Sequence, residues 1–213
     1  MDSWRNRLIT AVSPLDSGVR NLHIQGFRPF NGTDYRPSKT AAVLVPFLDL
    51  PEPELVLTRR ADHLPQHPGQ VSFPGGAAEE NDISAVQTAM REANEEIGLR
   101  PEVVRPIGFL DRMDTISDYR VLPVVALIQP PVTWVPDASE VADVFTVPVS
   151  VVLDAGRYQS YEWERDGFLQ TVYSLNWNGQ KIWGITASML MNLIERLEAA
   201  NEQGDPALRG TAE

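Results

Sequence analysis

Between Gly75 and Leu99 the chain reads GGAAEENDISAVQTAMREANEEIGL, and this stretch constrains the fold more than any other. Ser84 followed by Gln87 is a capping-box signature, Asp82 places negative charge near the same end, and Gly98 supplies a C-terminal stop. Between those limits Val86, Ala89, Met90, Ala93 and Ile97 recur at spacings of three and four, the period of a helix that buries one side. At about 100° per residue, Glu92, Glu95 and Glu96 fall within roughly a 100° arc, which the spacing predicts to lie exposed on the opposite side.

Carboxylates clustered on a helix repel by a few tenths of a kcal/mol per pair unless a cation offsets them. Hard cations such as Mg²⁺ favour oxygen ligands and commonly take one or two carboxylates together with waters and substrate phosphate oxygens. For an isolated Arg-Glu-x-x-Glu-Glu string, a solvated charged face is the simpler reading. Here the string follows Phe73-Pro74-Gly75-Gly76, where glycines let the backbone approach a metal or phosphate closely. That combination favours a metal site, with Arg91 pairing with a glutamate or holding it in place.

The rest of the chain reads as alternating short elements. A leading helix is expected over 4–12, ended by Pro14 and Gly18, then an extended connection over 21–38 packed by Phe27 and Phe30. Strands are expected over 40–48 and 54–59, split by Pro51-Glu52-Pro53, and over 103–110 and 120–128. A further pair is expected over 158–163 and 168–177, with Asn178-Gly179 as a type I′ turn signal leading into 181–183. Leu190, Met191, Ile194 and Leu197 predict a second long helix over 186–201, and the tail after Gln203 is expected to be mobile. Strands flanking two substantial helices suit an α+β layer fold. The expected division is an N-terminal helix and connection over 1–38, one domain over 39–201 and a tail over 202–213.

Composition excludes several classes of function. A net charge of -11 argues against a general nucleic-acid binder, although bound cations and a few local arginines can reverse the field inside one pocket. The absence of cysteine leaves no disulfide framework and no thiolate chemistry. No apolar stretch approaches a membrane span, so the expectation is a soluble, cytoplasmic protein. His23 and His63 have no partners with zinc-ligand spacing, and His67 is as readily a loop residue satisfying local hydrogen bonds as a phosphate contact. Ser72 lacks the context of a nucleophile elbow. Trp177 and Trp183 are expected to pack the terminal hairpin.

Arg91-Glu92-Ala93-Asn94-Glu95-Glu96-Ile97-Gly98-Leu99 resembles the Nudix box, whose pattern is Gly, five residues, Glu, seven residues, then Arg-Glu-aliphatic-x-Glu-Glu-x-Gly-aliphatic. The front half departs from it: six positions after Gly76 stands Asp82 rather than Glu, and eight residues separate it from Arg91, one more than the pattern allows. Such an insertion resembles the coenzyme A diphosphatase branch of that family. The branch also carries an upstream motif that Val56-Leu57-Thr58-Arg59-Arg60-Ala61, Gly69 and Phe73-Pro74-Gly75-Gly76 match in register. Pro65 stands where that motif has arginine. Tyr119 to Val125, Glu140 to Phe145 and Ile182 to Ala187 also resemble the branch, so the likeness spans roughly residues 40–195.

The resemblance implies an α/β/α sandwich around a mixed β-sheet and hydrolysis of a diphosphate linkage with Mg²⁺ or Mn²⁺. Glu92, Glu95 and Glu96 would hold the metal with the Gly76 carbonyl as a further ligand. Glu92 and Glu95 form the catalytic set with Arg91, which orients the carboxylates, and Glu92 serves as either ligand or general base. Arg59, Arg60, Gly69, Phe73 and Gly75 would contact substrate. Glu140 is a candidate additional acid from outside the box, or a surface glutamate beside Asp137 and Asp143. The implied reaction cleaves coenzyme A or acyl-coenzyme A to 3′-phosphoadenosine 5′-phosphate and 4′-phosphopantetheine. Pro65 keeps ADP-ribose, dinucleotide and nucleoside triphosphate substrates open, and a nucleotide-sensing domain without catalysis is the alternative of a different class. A homodimer is the family-level expectation for assembly.

Overall fold

The computed structural model describes residues 4–17, 24–26, 28–29, 36–165 and 168–204. Its first half contains helix α1 (Trp4–Ala11) and strands β1 (Ile24–Gly26), β2 (Arg28–Pro29), β3 (Lys39–Leu48), β4 (Glu54–Arg60), β5 (Val71–Ser72) and β6 (Gly75–Ala77), followed by helix α2 (Ala85–Ile97). Then come β7 (Val104–Phe109), β8 (Arg112–Asp114), β9 (Tyr119–Ile128), β10 (Val141–Pro148) and a short helix α3 (Val149–Val152). Strands β11 (Gln159–Arg165), β12 (Phe168–Trp177) and β13 (Gln180–Trp183) lead into helix α4 (Ile185–Gly204).

The central pairing joins two long apolar runs. β3 and β9 lie parallel from Lys39 opposite Tyr119 to Leu48 opposite Ile128, while β4 folds back antiparallel on the end of β3 and pairs β10 on its other side. The path is β1-β8-β9-β3-β4-β10, with β5 beside β4, β6 beside β3 and β7 beside β9. Parallel strands covered on both faces become near-continuous hydrophobic runs, which is how β3 and β9 read. One face carries Ala42, Leu44, Leu122, Val124, Ala126 and Ile128 against Ala89, Ala93 and Ile97 of α2. On the other, Val45, Phe47, Leu55, Leu57 and Val125 share a core with Leu8 of α1 and Leu190 and Leu193 of α4. The result is the expected α/β/α sandwich around a mixed sheet.

A second sheet of β11, β12 and β13, with β2 on β12, adds Leu175 and Ile182 to the α4-side core. Asn178 and Gly179 join β12 to β13 with φ of 46° and 80°, as a type I′ turn requires. Trp177 packs against the core, whereas Trp183 is 37% exposed with the Lys181 Nζ 5.8 Å from its ring centre. The hairpin therefore holds one tryptophan inward and leaves the other partly exposed. Phe27 and Phe30, the anchors expected for the leading connection, lie outside the described residues, as does the tail from 205 onward. Among the described residues no helix is long and apolar enough to cross a membrane.

Leu8 is wholly buried where α1 meets the core beneath α4. Leu8→Ala is expected to lower the unfolding free energy by about 2–5 kcal/mol, the cost of a buried leucine and the cavity it leaves. Urea unfolding checks this. A loss below about 0.5 kcal/mol, the range of a surface substitution, would mean that α1 contributes no core packing.

Candidate active site

Helix α2 is bounded as its sequence predicts. The Ser84 hydroxyl accepts from the Gln87 N–H at 3.2 Å, and the Gln87 side chain returns to accept from the Ile83 N–H at 3.0 Å. Gly98 takes a left-handed φ of 67° and donates to the Asn94 carbonyl at 2.9 Å, while Leu99 N–H reaches the Ala93 carbonyl at 3.2 Å.

Its carboxylates do not share one environment. The expected exposed arc of Glu92, Glu95 and Glu96 is corrected by the structure: Glu96 is 4% exposed, and only Glu95 faces solvent freely, with 57% of its side chain exposed. The buried residues of α2 are Thr88, Ala89, Ala93, Glu96 and Ile97. On a helical wheel this face is turned toward the glutamates, leaving Val86 only partly buried at its edge, because it fits against β6 and β3 as well as the sheet core.

The glycine pair is matched to two of the glutamates. Gly75 N–H donates to the Glu96 carboxylate at 3.1 Å. A Cβ at Gly76 would lie 2.6 Å from the Glu92 carboxylate, and one at Gly75, whose φ is 155°, would lie 2.5 Å from the Ala42 carbonyl oxygen and Val43 Cα. β6 can pair with β3 and also press on α2 only because neither residue carries a side chain. The carboxylates of Glu92 and Glu96, one turn apart, thus rest directly on main chain.

Arg91 ties the remaining charges together. Its Nη1 donates to Glu92 and Glu95 at 2.9 Å each, its Nη2 donates to the Ala77 carbonyl at 3.1 Å, and Nε and Nη2 grip both oxygens of Asp82 at 3.2 and 3.0 Å. The grip holds the Asp82 carboxyl down to about 2, and the same bond raises the Arg91 guanidinium further still. Asp82, which the sequence offers as a helix-end charge and as a departure from the glutamate of the family pattern, is the partner that fixes Arg91. Its signal was the acidic residue nine positions ahead of Arg91, displaced by the extra loop residue, so that an aspartate reaches the arginine from a shifted position.

Burial pushes the Glu96 carboxyl up to about 8; the Gly75 N–H opposes the rise, Glu92 and Glu140 add to it, and Arg60 draws it down. Burial also raises Glu92, against the pull of Arg91, with Glu95 and Glu140 contributing repulsion. Glu140 and Arg60, far apart in sequence, therefore act electrostatically on the box glutamates. Arg60 sits on β4, and its Nε is buried without a hydrogen-bond partner among the described residues. Arg59, on the alternate face of that strand, is engaged by Asp62 at 2.9 Å. Gly69, with φ of 65°, lies against the Asp62 carboxylate, and Phe73 is buried in the α4-side core rather than lining an open surface.

The donor set suits a hard cation: Glu92, Glu95, Glu96, Glu140 and the Gly76 carbonyl offer oxygen only. Two of these carboxylates are raised by burial, which is the condition that a bound cation relieves. Among the described residues no three acidic or imidazole side chains are already gathered as a cage. In this arrangement Arg91 supplies the positive charge between Glu92 and Glu95.

Residues 38–166 match the NUDIX domain family. The chain is 41% identical over 160 residues to an uncharacterized Nudix hydrolase, NudL, of Yersinia pestis (strain Pestoides F), covering 75% of this chain and 80% of that relative. It matches the protein of the same name from Yersinia pseudotuberculosis serotype O:1b to the same extent. Among solved structures, the Nudix hydrolase RenU of M. smegmatis is 24% identical, with a TM-score of 0.47 covering 59% of this chain and 80% of that one. The chain belongs to the Nudix family and is a hydrolase acting on pyrophosphate bonds. Nudix enzymes generally use divalent cations such as Mg²⁺ or Mn²⁺.

Proposed function

We infer that this hydrolase splits the diphosphate of coenzyme A or an acyl-coenzyme A, at a site that holds Mg²⁺ or Mn²⁺ on Glu92, Glu95, Glu96 and the Gly76 carbonyl. The observation that carries the hydrolytic site is the seating of Glu92 and Glu96 against Gly76 and Gly75. The observation that favours coenzyme A is the run from Val56 to Gly76, whose Arg60 sits within electrostatic range of Glu96 with a buried Nε that has no hydrogen-bond partner among the described residues.

A bound divalent cation supplies neutralisation of phosphate charge and lowers the pKa of water. The chain's own residues do the rest. Water attacks one phosphorus of the diphosphate, the new P–O bond forms as the bridging P–O bond breaks, and two phosphomonoesters leave. Glu92, whose carboxyl is raised by burial and further by Glu95 and Glu140 against the pull of Arg91, would accept the proton of the attacking water. Arg91 orients Glu92 and Glu95, and Asp82 orients Arg91. Arg60, whose Nε is buried and lacks a hydrogen-bond partner among the described residues, offers positive charge to phosphate oxygens on the Glu96 side.

A second reading, Nudix hydrolysis of ADP-ribose or a dinucleotide, is favoured by the loop over 62–68. Pro65 stands there at the motif arginine position, and the neighbouring Arg59 is already paired with Asp62. The test incubates the protein with coenzyme A, ADP-ribose and a dinucleotide, with Mg²⁺, Mn²⁺ or chelator, and identifies products by mass spectrometry. Chelator-sensitive release of 4′-phosphopantetheine is expected. Cleavage of the other substrates but not of coenzyme A would replace the first reading with the second.

A further inference from the structure

Glu140 has an exposed side chain, yet its main chain is held at both ends. Its N–H donates to the Asp137 carbonyl at 2.9 Å, and its carbonyl accepts from the Ala61 N–H, next to Arg60, at 2.8 Å. Asp137 is itself fixed to the helix that bears the box: its N–H donates to the Glu96 carbonyl at 2.9 Å, and two residues earlier Val135 N–H reaches the Ile97 carbonyl at 2.9 Å. These contacts satisfy carbonyls that the end of α2 would otherwise leave open. Gly98 keeps the strap close, because a Cβ there would lie 2.8 Å from the Val135 side chain.

The span between the two anchors is short and internally braced. Asp137 Oδ1 accepts from the Ser139 N–H at 2.8 Å and from the Ser139 hydroxyl at 2.7 Å, closing an Asx turn, and the Asp137 carbonyl also accepts from Val141 N–H at 2.8 Å. The main chain of Glu96 and the main chain of Glu140 are therefore joined through one aspartate turn. A turn that merely ended a loop would need neither the bond to Glu96 nor the bond from Ala61.

Resting on the reading of the site given above, we propose that Asp137 is a positioning residue, whose turn ties the register of α2 to the main chain of Glu140 and so fixes where that carboxylate is offered to the site. Without the turn, Glu140 keeps its charge but loses its place. Asp137→Ala removes the acceptor for Ser139, whereas Asp137→Asn retains an Oδ1 that accepts the same two bonds. Asp137 is exposed, so the variants retain the fold, which thermal unfolding verifies.

The experiment is a double-mutant cycle read on Mn²⁺ affinity by electron paramagnetic resonance, without substrate, for the wild-type chain, Asp137→Ala, Asp137→Asn, Glu140→Gln and the Asp137→Ala/Glu140→Gln pair. Loss of an outer support to a metal site costs about tenfold in affinity. Asp137→Ala and Glu140→Gln are each expected to weaken Mn²⁺ binding by about that factor, the pair to be no weaker than Glu140→Gln alone, and Asp137→Asn to bind like wild type. Where a substrate is turned over, Asp137→Ala should lower kcat with KM within about twofold. Multiplicative losses in the pair, an equal loss in Asp137→Asn, or unchanged affinity in Asp137→Ala or in Glu140→Gln would each overturn the proposal. Failure to cleave any diphosphate would instead overturn the substrate reading and leave the binding cycle to decide the role of Asp137.

Discussion

Glu92→Gln is expected to lower turnover about a thousandfold, the scale of losing a charged group that acts in the transition state of a preorganised site. The substitution keeps the volume of the side chain, so the close fit of Gly76 beneath it is preserved. It removes a carboxylate that lies against Gly76, accepts from Arg91 at 2.9 Å and feels the charges of Glu95 and Glu140. Arg91 keeps Asp82 and Glu95 as partners, so the helix stays in place. Steady-state kinetics with the substrate that the wild-type chain cleaves, set beside urea unfolding, separates the two effects. A variant that retains a tenth or more of wild-type turnover would remove Glu92 from the chemistry. One that loses activity together with several kcal/mol of stability would make its role structural.

What could be seen in the sequence was local. Ser84, Gln87 and Gly98 specify the ends of α2 through bonds to residues at most a few positions away, and Asn178-Gly179 specifies its turn through backbone conformations that few other pairs adopt. The long apolar runs of β3 and β9 announce strands covered on both faces. Strand β6 is not legible, because three residues carry no periodicity, and it is recognisable only through what its glycines admit. Strand β10 shows in the sequence only through the family likeness of Glu140 to Phe145, since an edge strand interrupted by Asp143 alternates weakly. The burial of Glu96 was hidden for a different reason. Periodicity reports which residues are apolar, and on that evidence a glutamate belongs outside; the pairing of Gly75 N–H with Glu96 is a tertiary contact that overrides it. The strap over 135–140 was hidden likewise, for its bonds to Glu96, Ile97 and Ala61 join residues distant in sequence.

Glu96 carries the other large effect, and its two consequences have opposite signs. Burial pushes its carboxyl to about 8 from an unfolded value near 4.5, so between those limits the folded chain binds more protons than the unfolded one. Stability in the presence of a chelator is then full below about pH 4.5 and is lost as pH rises through 8, at up to about 1.4 kcal/mol per pH unit and a few kcal/mol in total. Glu96→Gln removes the proton that titrates while its amide oxygen can still accept from Gly75 N–H. In chelator the variant should therefore unfold at nearly the same urea concentration at pH 5.5 and 8.5, and at pH 8.5 it should be more stable than wild type by a few kcal/mol. With Mg²⁺ or Mn²⁺ the order reverses in function, because the variant lacks the buried carboxylate and turnover should fall by about a thousandfold. Urea unfolding at both pH values reads the first effect and product release the second. Equal pH slopes in the two proteins would show that Glu96 is not the group whose burial costs stability. On the proposed reading the site is a place where folding tolerates a charge that it would shed, and a bound cation would make that charge favourable.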